Sequence, residues 1–145
     1  MLFSKICISS DHAGYQLKEL IKVYLISKNV PIIDLGPLNT NSVDYPDFAK
    51  KVAKRIQLKK SDAGILVCGS GTGMAMTANK FKGIRAAQCY DKKGTILCRQ
   101  HNNANVICLG SRMIGRKVAF KYVNYFLNTK FEGGRHKKEL TRFNL

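Results

Sequence analysis

The feature that most constrains this chain is a repeated alternation: short, continuously apolar runs separated by segments whose apolar residues recur at helical spacing. Ile6-Cys7-Ile8 is followed by Leu17, Leu20, Ile21, Tyr24 and Leu25, which reads as a strand and then an amphipathic helix. The unit returns as Ile32-Ile33-Asp34-Leu35, after which Pro46 opens a helix with an inner stripe of Ala49, Val52, Ala53 and Ile56. Further strands are expected at Gly64 to Cys68, Arg85 to Cys89 and Val106 to Leu109. Helices are expected through Ala75 and Ala78, from about Asp91 to Gln100, and over Ala119, Tyr122, Val123 and Phe126. Strands that are apolar at every position are buried on both faces, which is the habit of parallel sheets covered by helices above and below.

The expected fold class is therefore α/β: a Rossmann-like three-layer α/β/α sandwich with a five-stranded parallel sheet and right-handed crossovers. The 145 residues suit one domain, 1-145, large enough to bury a core without disulfide or metal staples. No internal repeat, Pro-rich linker or low-complexity tract divides it, and only a basic tail from about 131 to 145 falls outside the alternation. The opening Met1-Leu2-Phe3-Ser4-Lys5 has too short an apolar run for a signal peptide, and no stretch approaches the roughly 20 apolar residues of a membrane span. Five cysteines without a C-x-x-C pair read as reduced thiols, and the expected location is cytoplasmic.

The formal net charge of +16 admits a nucleic acid, an anionic surface or a phosphorylated substrate as partner. The basic residues are spread as Lys50-Lys51, Lys59-Lys60, Lys92-Lys93, Arg116-Lys117 and Lys137-Lys138, with no dense block and no aromatic stacking series. That scatter favours solvated helix faces over a nucleic-acid footprint, so no nucleic-acid partner is expected.

Open α/β sheets bind ligands at the carboxyl ends of their strands, which directs attention to Ser10-Asp11-His12, Cys68 to Gly73, and Ser111-Arg112. Cys68-Gly69-Ser70-Gly71-Thr72-Gly73 joins a strand to a helix, where free N–H groups and the helix dipole favour an anion. A thiolate there would serve as a proton-abstracting base, and the neighbouring amides could hold an oxyanion. An isolated Cys-Gly pair would be read more simply as a small buried residue before a tight turn. Three glycines at alternate positions weaken that reading. A dinucleotide fingerprint fails because Met74 stands where the third glycine belongs, and a P-loop fails for want of G-K-[ST].

Six segments in order carry a family resemblance: Ser10-Asp11-His12-Ala13-Gly14, Asp44-Tyr45-Pro46-Asp47-Phe48-Ala49, Cys68-Gly69-Ser70-Gly71-Thr72-Gly73-Met74, Ala78-Asn79-Lys80, His101-Asn102-Asn103-Ala104-Asn105 and Phe131-Glu132-Gly133-Gly134-Arg135-His136. The chain thus resembles the ribose-5-phosphate isomerase B family nearly end to end. Its wider group includes galactose-6-phosphate and allose-6-phosphate isomerases, so the choice between pentose and hexose phosphate stays open. The resemblance implies aldose–ketose isomerisation of ribose 5-phosphate and ribulose 5-phosphate through an enediolate, in the pentose phosphate pathway, with no metal and no cofactor.

It also implies the roles. Cys68 is the base, Ser70 belongs with it among the catalytic residues, and His101 with Asp11 opens the furanose ring. Gly69, Gly71, Thr72 and Gly73 hold the enediolate oxygen, while His12, Arg112 and Arg135 take the phosphate and Asn102 the sugar. Tyr45 either lines the sugar site or is a core tyrosine. His101 also reads as a helix C-cap, and Asp11 as the N-cap of the first helix. Where the family usually has a second arginine, four residues beyond Arg135, this chain has Glu139; either Lys137 or Lys138 substitutes or phosphate affinity is weakened. His101 precedes the last strand and so sits at the opposite sheet edge from Cys68. A homodimer sharing its active sites resolves that conflict, with a tetramer as a further possibility. Two other readings compete: a polyanion- or RNA-binding module, and a redox-sensing Cys68, which lacks a nearby resolving cysteine.

Overall fold

The computed structural model describes residues 1–143. Five strands, β1 (Ile6–Ser10), β2 (Ile32–Asp34), β3 (Ala63–Cys68), β4 (Ala86–Gln88) and β5 (Val106–Gly110), form one sheet in the order β2-β1-β3-β5-β4. Every pairing is parallel, with Ile8 opposite Ile65 and Leu66 opposite Cys108. Between them run α1 (Tyr15–Ser27), α2 (Tyr45–Gln57), α3 (Thr72–Ala78) and α4 (Lys92–Gln100), followed by α5 (Arg116–Asn128), α6 (Arg135–Leu140) and a 3-10 turn, Thr141–Phe143.

The pleat sends alternate strand residues to opposite faces, and each face builds its own core. Ile6, Ile8, Ile65, Val67, Ile107 and Leu109 pack against Leu17, Ile21 and Leu25 of α1 and Ala119, Val123 and Phe126 of α5. Cys7, Leu66, Cys68, Val106 and Cys108 pack against Ala49, Val52 and Ala53 of α2 and Met74, Ala75 and Ala78 of α3. The three-layer α/β/α sandwich read from the alternation is the observed fold.

Some local expectations change. Leu20 is exposed, and the buried stripe of α1 is Leu17, Lys18, Ile21 and Leu25. Asp11 is not the N-cap: α1 begins at Tyr15 with Gly14 before it, and Asp11 Oδ1 accepts a hydrogen bond from the Gly14 N–H at 2.9 Å. The reason is close packing, since a Cβ on Gly14 would lie 2.3 Å from the Val67 carbonyl oxygen. Asp91 caps α4 from outside, accepting from the Gly94 N–H at 2.6 Å. Strand β4 is shorter than expected at both ends, Ala86–Gln88, although the Val106 N–H donates to the Arg85 carbonyl at 3.3 Å and the Cys89 N–H to that of Cys108 at 3.1 Å.

Strand β1 connects outward to β2, and β3 lies on its other side, so the chain reverses direction across the sheet between β1 and β3. The carboxyl ends of those two strands deliver Asp11 and Cys68 to adjacent loops, where the Asp11 N–H donates to the Val67 carbonyl at 3.2 Å. Among the described residues, no helix is long and apolar enough to cross a membrane.

Candidate active site

Cys68 ends β3 and is 5% exposed. It lines a cavity of about 340 Å³ with Asp11, Tyr45, Gly69, Ser70, Gly73, Arg112 and Met113. The loop after it turns back on the sulfur: the Gly71 N–H donates to Cys68 Sγ at 3.1 Å. Gly71 achieves this with φ +84°, the left-handed region that glycine adopts without steric cost. The Thr72 N–H is also engaged, donating to Ser70 Oγ at 3.2 Å. Two of the loop's amides therefore serve the sulfur and the loop itself.

Other contacts hold this frame. Gln88, at the carboxyl end of β4, donates to the Ser70 carbonyl at 3.0 Å and to Thr72 Oγ1 at 2.5 Å. The Ser111 N–H donates to the Cys68 carbonyl at 2.8 Å and the Arg112 N–H to that of Gly69 at 3.0 Å, which ties the β5 loop to the thiol loop. Arg112 lies across Gly69, and the Tyr45 ring lies across Gly73; a Cβ at either glycine would come within 2.8 Å and 2.5 Å respectively. Tyr45 is thus a wall of the cavity, at 40% exposure, rather than a core residue. His12 stands beside this region with Nδ1 accepting from the Val43 N–H at 3.1 Å, which leaves Nε2 for another partner.

The remaining predicted residues are elsewhere in the chain. His101 is the C-cap of α4, Asn102 lines a separate cavity of about 530 Å³ with Arg85 and Phe143, and Arg135 is exposed at the start of α6. The tail returns to the body through the Glu132 N–H, which donates to the Gln100 carbonyl at 3.0 Å, and through His136, whose ring stacks on His101 at 4.1 Å. No metal-ligand spacing is visible in the sequence, yet His101, Glu132 and His136 come within 4.8 Å of one another, because they arrive from two separate segments.

The other thiols differ in character. Burial raises Cys7 to about 11 and pushes Cys108 well above the ordinary thiol value, so both stay protonated and inert. Sequence reasoning missed Met113 and Gln88 as site residues. Gln88 carried a signal, as a polar residue ending a short strand; Met113 carried none.

A family described as Ribose/Galactose Isomerase matches residues 6–143. The chain belongs to that family. It is 46% identical over 136 residues to a probable ribose-5-phosphate isomerase B of Mycoplasma pneumoniae, covering 93% of this chain and 90% of that one. The ribose 5-phosphate isomerase of Thermotoga maritima superposes with a TM-score of 0.94 at 47% identity, over 96% of each chain. The ribose-5-phosphate isomerase B of Mycoplasma genitalium, solved with bound ribulose-5-phosphate, superposes with a TM-score of 0.90 at 44% identity, over 95% of this chain and 92% of that one. As a member of the ribose/galactose isomerase family, the chain is an isomerase.

Proposed function

We propose that this isomerase interconverts ribose 5-phosphate and ribulose 5-phosphate with Cys68 as the base. The observation that carries the reading is the sulfur itself, facing a cavity beside Asp11 with the Gly71 N–H directed onto it at 3.1 Å. The thiolate is the form a base requires, and the Gly71 N–H is placed to hydrogen-bond it. The bound ribulose-5-phosphate of the Mycoplasma genitalium relative supports the substrate. In the open-chain aldose, the Cys68 thiolate takes the proton from C2 and the carbonyl oxygen at C1 gains the charge. The C2 hydroxyl proton passes to O1, the thiol proton returns to C1, and the ketose at C2 and the thiolate are left. Because Gly71 and Thr72 already spend their N–H groups inside the loop, the enediolate oxygen falls to Gly69, Ser70 and Gly73.

Ring opening needs a proton donor and acceptor, and Asp11 reaches the cavity from within the chain whereas His101 does not. His101, Asn102 and Arg135 would complete the site from the second subunit of a symmetric dimer, adding to His12 and Arg112 for the phosphate. The decisive assay is ribose 5-phosphate turnover, with metal chelated, by wild type and by Cys68→Ala. Cys68→Ala is expected to lose about 10²–10⁴-fold in kcat, with the affinity for a competing sugar phosphate near wild type. Normal turnover by Cys68→Ala would remove the thiol from the reaction. The family description also names galactose, so galactose 6-phosphate and allose 6-phosphate belong in the same assay; preference for either would move the substrate to a hexose.

A further inference from the structure

Away from the thiol cavity, the end of α4 and the tail build a small cluster of a different kind. His101 caps α4, and the hydrogen bond from the Glu132 N–H to the Gln100 carbonyl holds Glu132 next to it. His136, in the first turn of α6, stacks its ring on that of His101 with 14° between the planes. Glu132 Oε1 then lies 3.7 Å from His101 Nε2 and 3.9 Å from His136 Nε2. Four-coordinate Zn²⁺ with bonds of about 2.0–2.2 Å separates its ligand atoms by about 3.3–3.5 Å. The two edges at Glu132 are therefore slightly wider than in a filled site, and all three ligand atoms lie within 4.8 Å of one another.

A second, independent contact sets the chemistry of His136. Its Nδ1 lies 3.2 Å from Glu139 Oε1, and a carboxylate can only accept, so in the neutral ring this hydrogen bond holds the proton on Nδ1 and leaves Nε2 the lone pair a cation needs. Glu139 thus gives a histidine the tautomer and orientation that metal-bound imidazoles have, a service no arginine at that position could perform. The side chains of His101, Glu132 and His136 are 40%, 52% and 31% exposed, so an ion reaches them from water.

We infer that His101, Glu132 and His136 form a site for a first-row transition-metal dication of the Zn²⁺ class, with Glu139 orienting His136, and that filling it withdraws His101 from the reaction. Two imidazoles and one carboxylate select Zn²⁺, Co²⁺ or Ni²⁺ over Mg²⁺ or Ca²⁺, which prefer oxygen alone. The rings are nearly parallel, so they must turn to converge their lone pairs, and affinity falls below that of a prebuilt structural zinc site. The inhibitory half of the inference rests on the role given to His101 above; the binding half does not.

The test titrates Co²⁺ into the chelator-stripped, tag-free chain and follows the d–d absorption of the bound ion, with Zn²⁺ as competitor. One Co²⁺ per chain is expected, and saturable binding should vanish in Glu132→Gln and His136→Gln. Glu139→Gln keeps all three ligands and should weaken binding about 10-fold, which separates a built site from a variant that has merely loosened the tail. No stoichiometric binding, binding retained by His136→Gln, or a sulfur-to-cobalt charge-transfer band lost in Cys68→Ala would each overturn the site. Zn²⁺ should also inhibit ribose 5-phosphate turnover reversibly, with the inhibitory concentration about 10-fold higher in Glu139→Gln. Stoichiometric binding without inhibition would keep the site and remove His101 from the reaction. Absent binding in a chain that isomerises normally would do the reverse.

Discussion

Two glycines of the thiol loop are required for different physical reasons. Gly71 needs its backbone conformation: φ is +84°, and a Cβ would sit 3.2 Å from the Leu109 carbonyl carbon in β5. Gly71→Ala should therefore cost about 1–2 kcal/mol in urea unfolding and displace the N–H from the Cys68 sulfur, lowering kcat as well. Gly69 has no positive φ, and its Cβ would meet the Arg112 side chain first, with Nη1 at 2.8 Å, Cζ at 3.3 Å and Cδ at 3.6 Å, the far end of a flexible group. Gly69→Ala is expected to unfold at nearly the wild-type urea concentration while raising KM, since the guanidinium is what must give way. Equal losses of stability in both variants would contradict this division. The alternate glycines announced the turn in the sequence, but which glycine guards a conformation and which guards a neighbour depends on what packs there. For the same reason Asp11 read as a helix cap and instead closes the turn before the helix, because Gly14 lies against the Val67 carbonyl.

At the scale of elements, the joint between α1 and β2 is ionic where the periodicity suggested only hydrocarbon. Lys18 is fully buried on the inner face of α1, with Nζ 2.7 Å from Asp34 Oδ2, 3.1 Å from Glu19 Oε1 and 3.0 Å from the Pro37 carbonyl. Asp34 also accepts from Lys22 Nζ at 2.6 Å and from the Gly36 N–H at 2.8 Å. Burial alone would raise the Asp34 carboxyl, but the hydrogen bonds from Lys18 and Lys22 outweigh it and hold it below the usual carboxylate value. A carboxyl depressed in the folded state contributes its full stability above its unfolded pKa, about 4, and loses it as pH falls through the folded value. Asp34→Asn leaves Lys18 buried beside a neutral amide and should cost about 3 kcal/mol at neutral pH. Urea midpoints of wild type and Asp34→Asn should differ by a constant amount from neutrality down to the carboxylate range and converge below it. A gap that persists into strong acid would show that shape rather than charge holds the joint. A helical wheel places Lys18 among apolar residues, yet only its partner on β2 explains why a charge is tolerated there.

At the scale of the whole molecule, the predicted site residues divide into two groups that one chain does not bring together. Asp11, Tyr45, Cys68, Gly69, Ser70, Gly73 and Arg112 share the cavity at the carboxyl ends of β1, β3 and β5, whereas His101, Asn102 and Arg135 lie around the end of α4 and the tail. Mixing Cys68→Ala subunits with His101→Asn subunits, each inactive alone, should restore activity as mixed dimers form, because one site per dimer regains both residues. Mixed preparations that exchange subunits and stay inactive would refute a shared site. The succession of strands and helices along the chain, the burial of the strand faces and the place of the thiol were legible from the chain alone, because period and loop chemistry are local properties that each strand and turn carries with it. The choice between the two readings of Tyr45, the place of Met113 in the cavity wall, the brace from Gln88 and the meeting of His101 with Glu132 and His136 were not, because each joins residues far apart in the chain. Side-chain chemistry is written residue by residue, but proximity across the sheet is set by how the layers pack, and that only the tertiary structure decides.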